Sequence, residues 1–339
     1  MATMRAMQIG EKGGDFELVE REVPTPGRGE VLVRVHACGV CHSDMMAKEG
    51  AFPGVPFPIV PGHEVAGEIA ELGEDVNGWT QGQRVGVGWF GGNCGYCEPC
   101  RRGDFIDCQN MGIPGVTFDG GYADYVLVKS NALAAIPDDL ADEDAAPLLC
   151  AGITTYNALR NSAARGGDLV AILGVGGLGH LGIQFAAKLG FRTVAIARGT
   201  DKEQLARELG AADYIDSTAG NPGEALQKMG GAKVILSTIS SGEANTEVIQ
   251  GLGPRGELIV VGASPDPIEA APGALIGGNL TISGHASGSS MDSQDTLAFS
   301  SLTGIRPRIE TLPLEKAGEA YAKMLSGDAR FRMVLTTGA

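Results

Sequence analysis

Five residues with no polar member, Leu169-Val-Ala-Ile-Leu173, run straight into Gly174-Val-Gly-Gly-Leu-Gly179 and then into a helical pattern from His180 to Leu189. No other feature constrains the fold as strongly. A short, wholly apolar run bounded by turn residues reads as a strand covered on both faces. The glycines allow a tight bend and close approach of backbone to a ligand, and the following helix turns its N-terminus toward that ligand. Residues 193–197 read as the next strand, and Asp201 is placed to cap a helix containing Leu205 and Leu209. Further strands are expected at 234–236 and 257–261, with a helix around 247–249. Strands alternating with helices predict a parallel sheet joined by right-handed crossovers.

A lone G-x-G-x-x-G means little, but one set between a strand and a helix points to a dinucleotide. Gly174, Gly176, Gly177, Leu178 and Gly179 are the candidate cofactor-binding residues of this turn. The end of the second strand bears on the choice of cofactor. An NAD site carries Asp or Glu there for the ribose 2′-hydroxyl. Here Ala197 stands in that place and Arg198 follows it. No carboxylate repels a 2′-phosphate, and a guanidinium can bind one with two parallel hydrogen bonds. Thr200 and Lys202 can add contacts. These residues favour NADP(H) over NAD(H) and leave NAD(H) possible.

Before about residue 148 the pattern differs. Short strands at 31–36 and 122–128, broken by Gly and Pro, suggest a compact β-barrel-like domain. Inside it Cys94, Cys97, Cys100 and Cys108 crowd into fifteen positions. Thiolates so spaced can converge on one tetrahedral ion with bonds of about 2.3 Å. A nucleic-acid zinc ribbon is disfavoured, because the formal charge is −15 and only Arg101 and Arg102 are basic near the four cysteines. A second, scattered set consists of Cys41 in G-V-C-H-S-D, His63 in P-G-H-E-V-A-G, and Cys150 in L-L-C-A-G-I-T-T. Two Cys and one His with a fourth place open are the composition of a catalytic zinc site. Cys38 and His36 read as strand residues with no metal role.

With 339 residues the chain is long for one core, so two domains are expected. Seven cysteines are an odd count, the first residues carry no apolar run of signal length, and no stretch is apolar enough to span a bilayer. Thiolate-bound metal in a reducing cytoplasm is therefore expected rather than disulfides, with no membrane partner.

Taken in order, Gly39-Val-Cys-His-Ser-Asp44, Gly62-His-Glu-Val-Ala-Gly67, the four-cysteine lobe, Cys150 and the turn at Gly174 resemble the zinc-dependent medium-chain alcohol dehydrogenases over nearly the whole chain. The resemblance implies an α/β fold: a Rossmann doubly wound parallel sheet domain at 148–284, and a GroES-like β-barrel catalytic domain from 1–147 and 285–339 with a structural zinc lobe at about 91–110. It also implies two zinc ions per chain, one held by Cys41, His63 and Cys150 and one by the four cysteines. Ser43 would take the alcohol proton, Asp44 would orient His63, and Glu64 could bind zinc transiently. His42 matches a basic position that meets cofactor phosphate, and Thr154 would pack against the nicotinamide. The substrate would be a small alcohol, aldehyde or ketone, with Phe52 and Trp89 lining an apolar pocket, and the assembly a homodimer or homotetramer. One departure is Met46, where many members carry the His that ends a proton relay. A polyol- or formaldehyde-type dehydrogenase on the same scaffold, and a non-catalytic zinc and nucleotide-binding protein, are the alternatives.

Overall fold

The apolar run is an inner strand of a six-stranded parallel sheet in the computed structural model, which describes residues 2–338. The strand order is Asp213–Asp216, Arg192–Ala197, Leu169–Leu173, Ala232–Ser237, Leu252–Val260, Thr281–Gly284. All five residues of Leu169–Leu173 are buried, and full burial of such side chains stabilises by about 1.5–3 kcal/mol each. Val194, Ile196, Ile235, Val248 and Leu258 belong to the same core. The helices Gly179–Lys188, Glu203–Glu208, Pro222–Lys228 and Gly242–Ile249 connect successive strands. The order of connection reverses between Leu169–Leu173 and Ala232–Ser237, and open α/β sheets bind ligands beyond the strand ends at such a reversal.

The sequence reading misses one strand in this unit and misplaces one helix cap. Asp213–Asp216 is a strand that the sequence did not announce, because it is four residues long, half of them acidic, with only Ile215 buried. Asp201 does not cap the next helix: that helix starts at Glu203, and Lys202 occupies the cap position with no side-chain bond to the helix N-terminus. The unit runs Thr154–Ala286, six residues later at its start than the composition suggested. The boundary falls inside a continuous helical stretch, Asp142–Pro147 through Leu148–Gly152 to Ile153–Arg160, where composition carries no break.

The other unit comprises Met1–Ile153 and Ser287–Ala339. Its spine is the strand Glu30–Val40, paired antiparallel with Val65–Leu72 along one edge. Along the other edge Tyr125–Lys129 covers its first half and Arg332–Thr336 its second. Arg84–Val87 and Ala134–Ala135 extend one side and Ile309–Pro313 the other. Its last four residues are all buried, so no inside–outside alternation could show there. Register shifts at Leu32/Val33 and Val35/Ala37 mark bulges, which bend a strand. Opposite the second, a Cβ on Gly67 would lie 1.9 Å from the Arg34 carbonyl oxygen, so only glycine fits. Cys38 is 1% exposed within the core formed by Val33, Val65, Val85 and Val126.

His36 has a structural partner in this unit. Its Nδ1 lies 2.8 Å from Asp142 Oδ2, and Arg84 Nη2 donates to Asp142 Oδ1 at 2.5 Å. The three form a clasp that ties the start of Asp142–Pro147 to two strands. The bond to Asp142 raises the pKa of His36 above its ordinary 6.5 against the effect of burial. Burial alone would raise the Asp142 carboxyl, but His36 and Arg84 hold it below its ordinary 3.8. Among the described residues no helix is long and apolar enough to cross a membrane.

Candidate functional site

Strand register assembles the site. Cys38 pairs with Val65, so Cys41 and His63 lie just past the same end of one antiparallel ladder. On the opposite edge Met333 pairs with Val40, which brings Arg332 level with Cys41. Cys150 arrives on the π-helical turn Leu148–Gly152, a wider turn that often re-aims a functional side chain. Bare glycine backbone lets that turn come close: a Cβ on Gly86 would meet Leu149 Cδ1 at 2.7 Å, and one on Gly88 would meet the Leu149 carbonyl oxygen at 2.4 Å.

The outcome is a cluster in which one ligand atom each of Cys41, His63, Glu64 and Cys150 lies within 4.8 Å of all the others. The two sulfurs are 3.7 Å apart. A tetrahedral ion with Zn–S bonds of about 2.3 Å sets two sulfurs roughly 3.8 Å apart, so the two sulfurs already stand at the separation that zinc requires. His63 is wholly buried, and its Nε2 has no hydrogen-bond partner. A buried polar nitrogen left so is costly unless something takes it.

Asp44 is 1% exposed and held from two sides. Its Oδ2 accepts from the Tyr122 hydroxyl at 2.8 Å and from the Cys41 N–H at 2.8 Å. Its Oδ1 lies 3.1 Å from His63 Nδ1, close enough for charge pairing although the angle falls short of a hydrogen bond. Trp89 meets the His63 ring edge-on at 5.1 Å and 88°. Phe52 and Trp89 also pack with Ala47, Ile113 and Val116 in a small apolar cluster.

Charge is distributed unevenly over the cluster. The bond from Cys150, together with His63 and Arg332, pulls the Cys41 thiol well below the usual range against the effect of burial. The same bond, with burial, pushes Cys150 up. Burial raises the Glu64 carboxyl to about 7, while the Arg332 guanidinium opposes it. Arg332, 5% exposed, ion-pairs with Glu64 Oε1. Glu64 Oε2 and Arg332 Nε have no hydrogen-bond partner. Gly39 makes room for this carboxylate, since a Cβ there would sit 1.8 Å from Glu64 Oε2.

Arg332 is the residue that sequence reasoning missed. It lies 268 positions from Glu64 in no motif, and only the pairing of Met333 with Val40 reveals it. The other named residues are spread around the cluster. Ser43 is half-buried at the start of the helix Asp44–Lys48, its side chain makes no cap bond, and its N–H is 3.5 Å from Cys41 Sγ. Met46 is half-buried on that helix, and His42 is exposed beside it.

The four-cysteine lobe forms a separate cluster, all four sulfurs lying within 4.8 Å of one another. Cys94 and Cys100 sulfurs are 4.0 Å apart, and Cys97 and Cys108 3.9 Å. N–H groups point at the sulfurs: Cys94 and Asn110 backbone to Cys108, Asn93 Nδ2 to Cys100, and Asn110 Nδ2 to Cys94. Burial works against the Cys94 thiolate, but the Asn110 amide and nearby backbone bring its pKa down to about 6. Four thiolates with no open position suit a structural zinc.

In the parallel-sheet unit the glycines of residues 174–179 divide by reason. Gly174 has φ +99°, and a Cβ on Gly179 would lie 1.8 Å from the Gly174 carbonyl oxygen. Gly176 has no heavy atom within 4 Å of where a Cβ would stand, so its backbone stays open to a ligand. Gly177 and Leu178 are half-buried beside it. Lys202 Nζ donates to the Val175 carbonyl at 2.9 Å, tying the turn to the loop after the second strand. Ala197, the last residue of that strand, is half-buried, and Arg198, the first of the loop, is exposed. Thr154, half-buried, opens the unit.

Comparison with known proteins agrees with this layout. Residues 27–138 match the family model of the alcohol dehydrogenase GroES-like domain, and residues 177–301 that of zinc-binding dehydrogenase. The alcohol dehydrogenase notN of Aspergillus sp. (strain MF297-2) is 44% identical over 334 residues, covering 98% of each chain. Among solved structures, CAD from Helicobacter pylori complexed with NADP(H) has a TM-score of 0.88 at 28% identity, over 99% of each chain. Acetophenone reductase from Geotrichum candidum in complex with NAD has a TM-score of 0.84 at 26% identity, over 98% of this chain and 97% of that one. The chain thus belongs to the zinc-dependent medium-chain alcohol dehydrogenase family, as an enzyme that acts on alcohols with zinc and a nicotinamide cofactor.

Proposed function

We propose that the enzyme interconverts small primary or secondary alcohols with aldehydes or ketones, passing a hydride to NADP in the oxidative direction. The observation that carries this reading is the convergence of Cys41, His63 and Cys150 on one point, with the hydroxyl of Ser43 two positions from a ligand. These three residues would hold a catalytic zinc, which supplies Lewis acidity toward an alcohol or carbonyl oxygen and so brings an alcohol's pKa toward neutrality. The nicotinamide supplies the hydride acceptor. Cys94, Cys97, Cys100 and Cys108 would hold a second, structural zinc.

The chain's own groups do the rest. Ser43 accepts the alcohol proton. Asp44, fixed by Tyr122 and the Cys41 N–H, orients the His63 ring, as carboxylates behind metal-bound imidazoles do. Met46 offers no imidazole, so the proton passes from Ser43 toward water. Glu64 stands by as an alternative oxygen donor, with Arg332 balancing its charge when it is withdrawn. His42 and Thr154 would contact the cofactor, and Phe52 and Trp89 the apolar part of the substrate. The working assembly is a homodimer or homotetramer.

The missing acid at Ala197 and the exposed Arg198 support NADP(H), and the NADP(H)-bound and NAD-bound relatives together leave both cofactors open to a direct test. Initial rates of alcohol oxidation with NADP and with NAD separate them. A higher kcat/KM for NADP that falls on Arg198→Ala supports the reading. Equal or better use of NAD, unaffected by Arg198→Ala, would overturn the cofactor assignment.

A further inference from the structure

The strand Asp213–Asp216 forms one edge of the parallel sheet, and its Asp216 pairs in register with Ala197. Alternate residues of a strand share a face, so Tyr214 and Asp216 project together. Both reach the same glycine. The Tyr214 hydroxyl donates to the Gly199 carbonyl at 2.7 Å, and the Gly199 N–H donates to Asp216 Oδ1 at 2.7 Å. The same oxygen accepts from the Thr218 N–H at 2.8 Å and from its hydroxyl at 2.7 Å. Gly199 sits at φ +69°, a conformation that glycine enters freely and leaves as freely.

Next to this glycine stands Arg198, exposed and, among the described residues, without a hydrogen bond or ion pair to protein. An uncommitted guanidinium on a flexible turn binds poorly, because ordering it on the ligand costs entropy. Two side-chain bonds from the neighbouring strand remove that freedom before the ligand arrives. We propose that Tyr214 and Asp216 are positioning residues for cofactor choice: by clamping both backbone groups of Gly199 they aim Arg198 at the 2′-phosphate of the dinucleotide. This inference rests on the NADP(H) reading above. Neither residue falls in the glycine turn or at the end of the second strand, where cofactor specificity is ordinarily read.

The test uses the zinc-loaded, full-length enzyme and two probes that differ only in the group at issue, adenosine 2′,5′-bisphosphate and adenosine 5′-monophosphate. Dissociation constants are measured by calorimetry for the native protein and for Arg198→Ala, Tyr214→Phe, Asp216→Ala and Asp216→Asn, with melting curves to confirm folding. Tyr214→Phe and Asp216→Ala should each weaken the bisphosphate about 3–10-fold, the factor that one lost hydrogen bond gives, and leave the monophosphate unchanged. Asp216→Asn keeps an acceptor oxygen and should restore near-native binding. The same ordering should appear in KM for NADPH, with KM for NADH unmoved.

If Arg198→Ala weakens the bisphosphate but Tyr214→Phe and Asp216→Ala do not, the clamp is only structural and the inference fails alone. Tighter bisphosphate binding by Asp216→Ala and Asp216→Asn would mean that the carboxylate acts by repulsion, which also overturns it. If the native protein does not distinguish the two probes and Arg198→Ala changes neither, the NADP(H) reading fails and this inference with it. Should Asp216→Ala not fold, Tyr214→Phe, which removes one hydroxyl, decides the matter.

Discussion

A carboxylate and a guanidinium that are almost wholly enclosed, Glu64 and Arg332, stand directly against the cysteine–histidine cluster. Each is tolerable only because the other is there. Removing one partner of a buried pair costs about 3–5 kcal/mol, whereas replacing both with groups of similar shape is often nearly neutral. Arg332→Met should therefore lower the unfolding free energy of the zinc-loaded enzyme by about 3–5 kcal/mol, measured by urea titration. Adding Glu64→Gln should recover most of that loss. A cost below about 1 kcal/mol for the single change would place the pair among weakly coupled surface ions. Ser43 is a different case, since it is only half-buried and its hydroxyl caps nothing. Ser43→Ala should leave zinc content and melting temperature unchanged. It should lower kcat and kcat/KM together by about 10²–10⁴, the usual contribution of a positioned proton acceptor. An unchanged kcat would remove Ser43 from the proton path.

At the scale of elements, the clasp of His36, Asp142 and Arg84 fixes the start of the helical stretch that later presents Cys150. Its contribution to stability has a definite pH window. His36 is raised in the folded state, so its share is fully present below its ordinary 6.5 and is lost as pH rises through the folded value. Asp142 is lowered, so its share is present above its ordinary 3.8 and is lost as pH falls through the folded value. Glu68 and Arg34 also face His36 and modify it in opposite senses, Glu68 raising it and Arg34 lowering it. The melting-temperature difference between native protein and His36→Asn should be largest near pH 5–6 and shrink by pH 9. A difference that stays flat over that range would mean His36 is neutral in the clasp.

The same elements explain what could be read from the sequence. Leu169–Leu173 and its glycine turn were legible because five apolar residues and four turn glycines are local signals. Cys41, His63 and Cys150 could be named as a set because their residue types are chemically restricted, and the structure brings them together. Arg332 could not, because arginine is ordinary on a surface and its burial depends on strand register alone. Asp213–Asp216 was hidden for a related reason: an edge strand needs little apolar surface, and here its polar side chains serve the neighbouring loop. Asp201 lies one residue before the actual cap position, Lys202, since a good capping residue type is no guarantee that the helix begins there.

Over the whole molecule, two donor clusters of different kind stand ready for metal, one of four sulfurs and one of two sulfurs, an imidazole and a carboxylate. Both draw their ligands from the unit Met1–Ile153 with Ser287–Ala339, and the nucleotide turn belongs to Thr154–Ala286. Thiolate ligands of both sites must be deprotonated to bind metal, so zinc content should depend on pH and fall under chelation. The most direct test of the central claim is elemental analysis of zinc per chain, paired with alcohol turnover, for the native enzyme, Cys150→Ala and Cys97→Ala. The account predicts two zinc ions per native chain, one for each cluster. It predicts that Cys150→Ala keeps the structural zinc while losing the other ion and its turnover, and that Cys97→Ala loses stability before chemistry. Turnover at the native rate in a Cys150→Ala protein that holds a single zinc would contradict it.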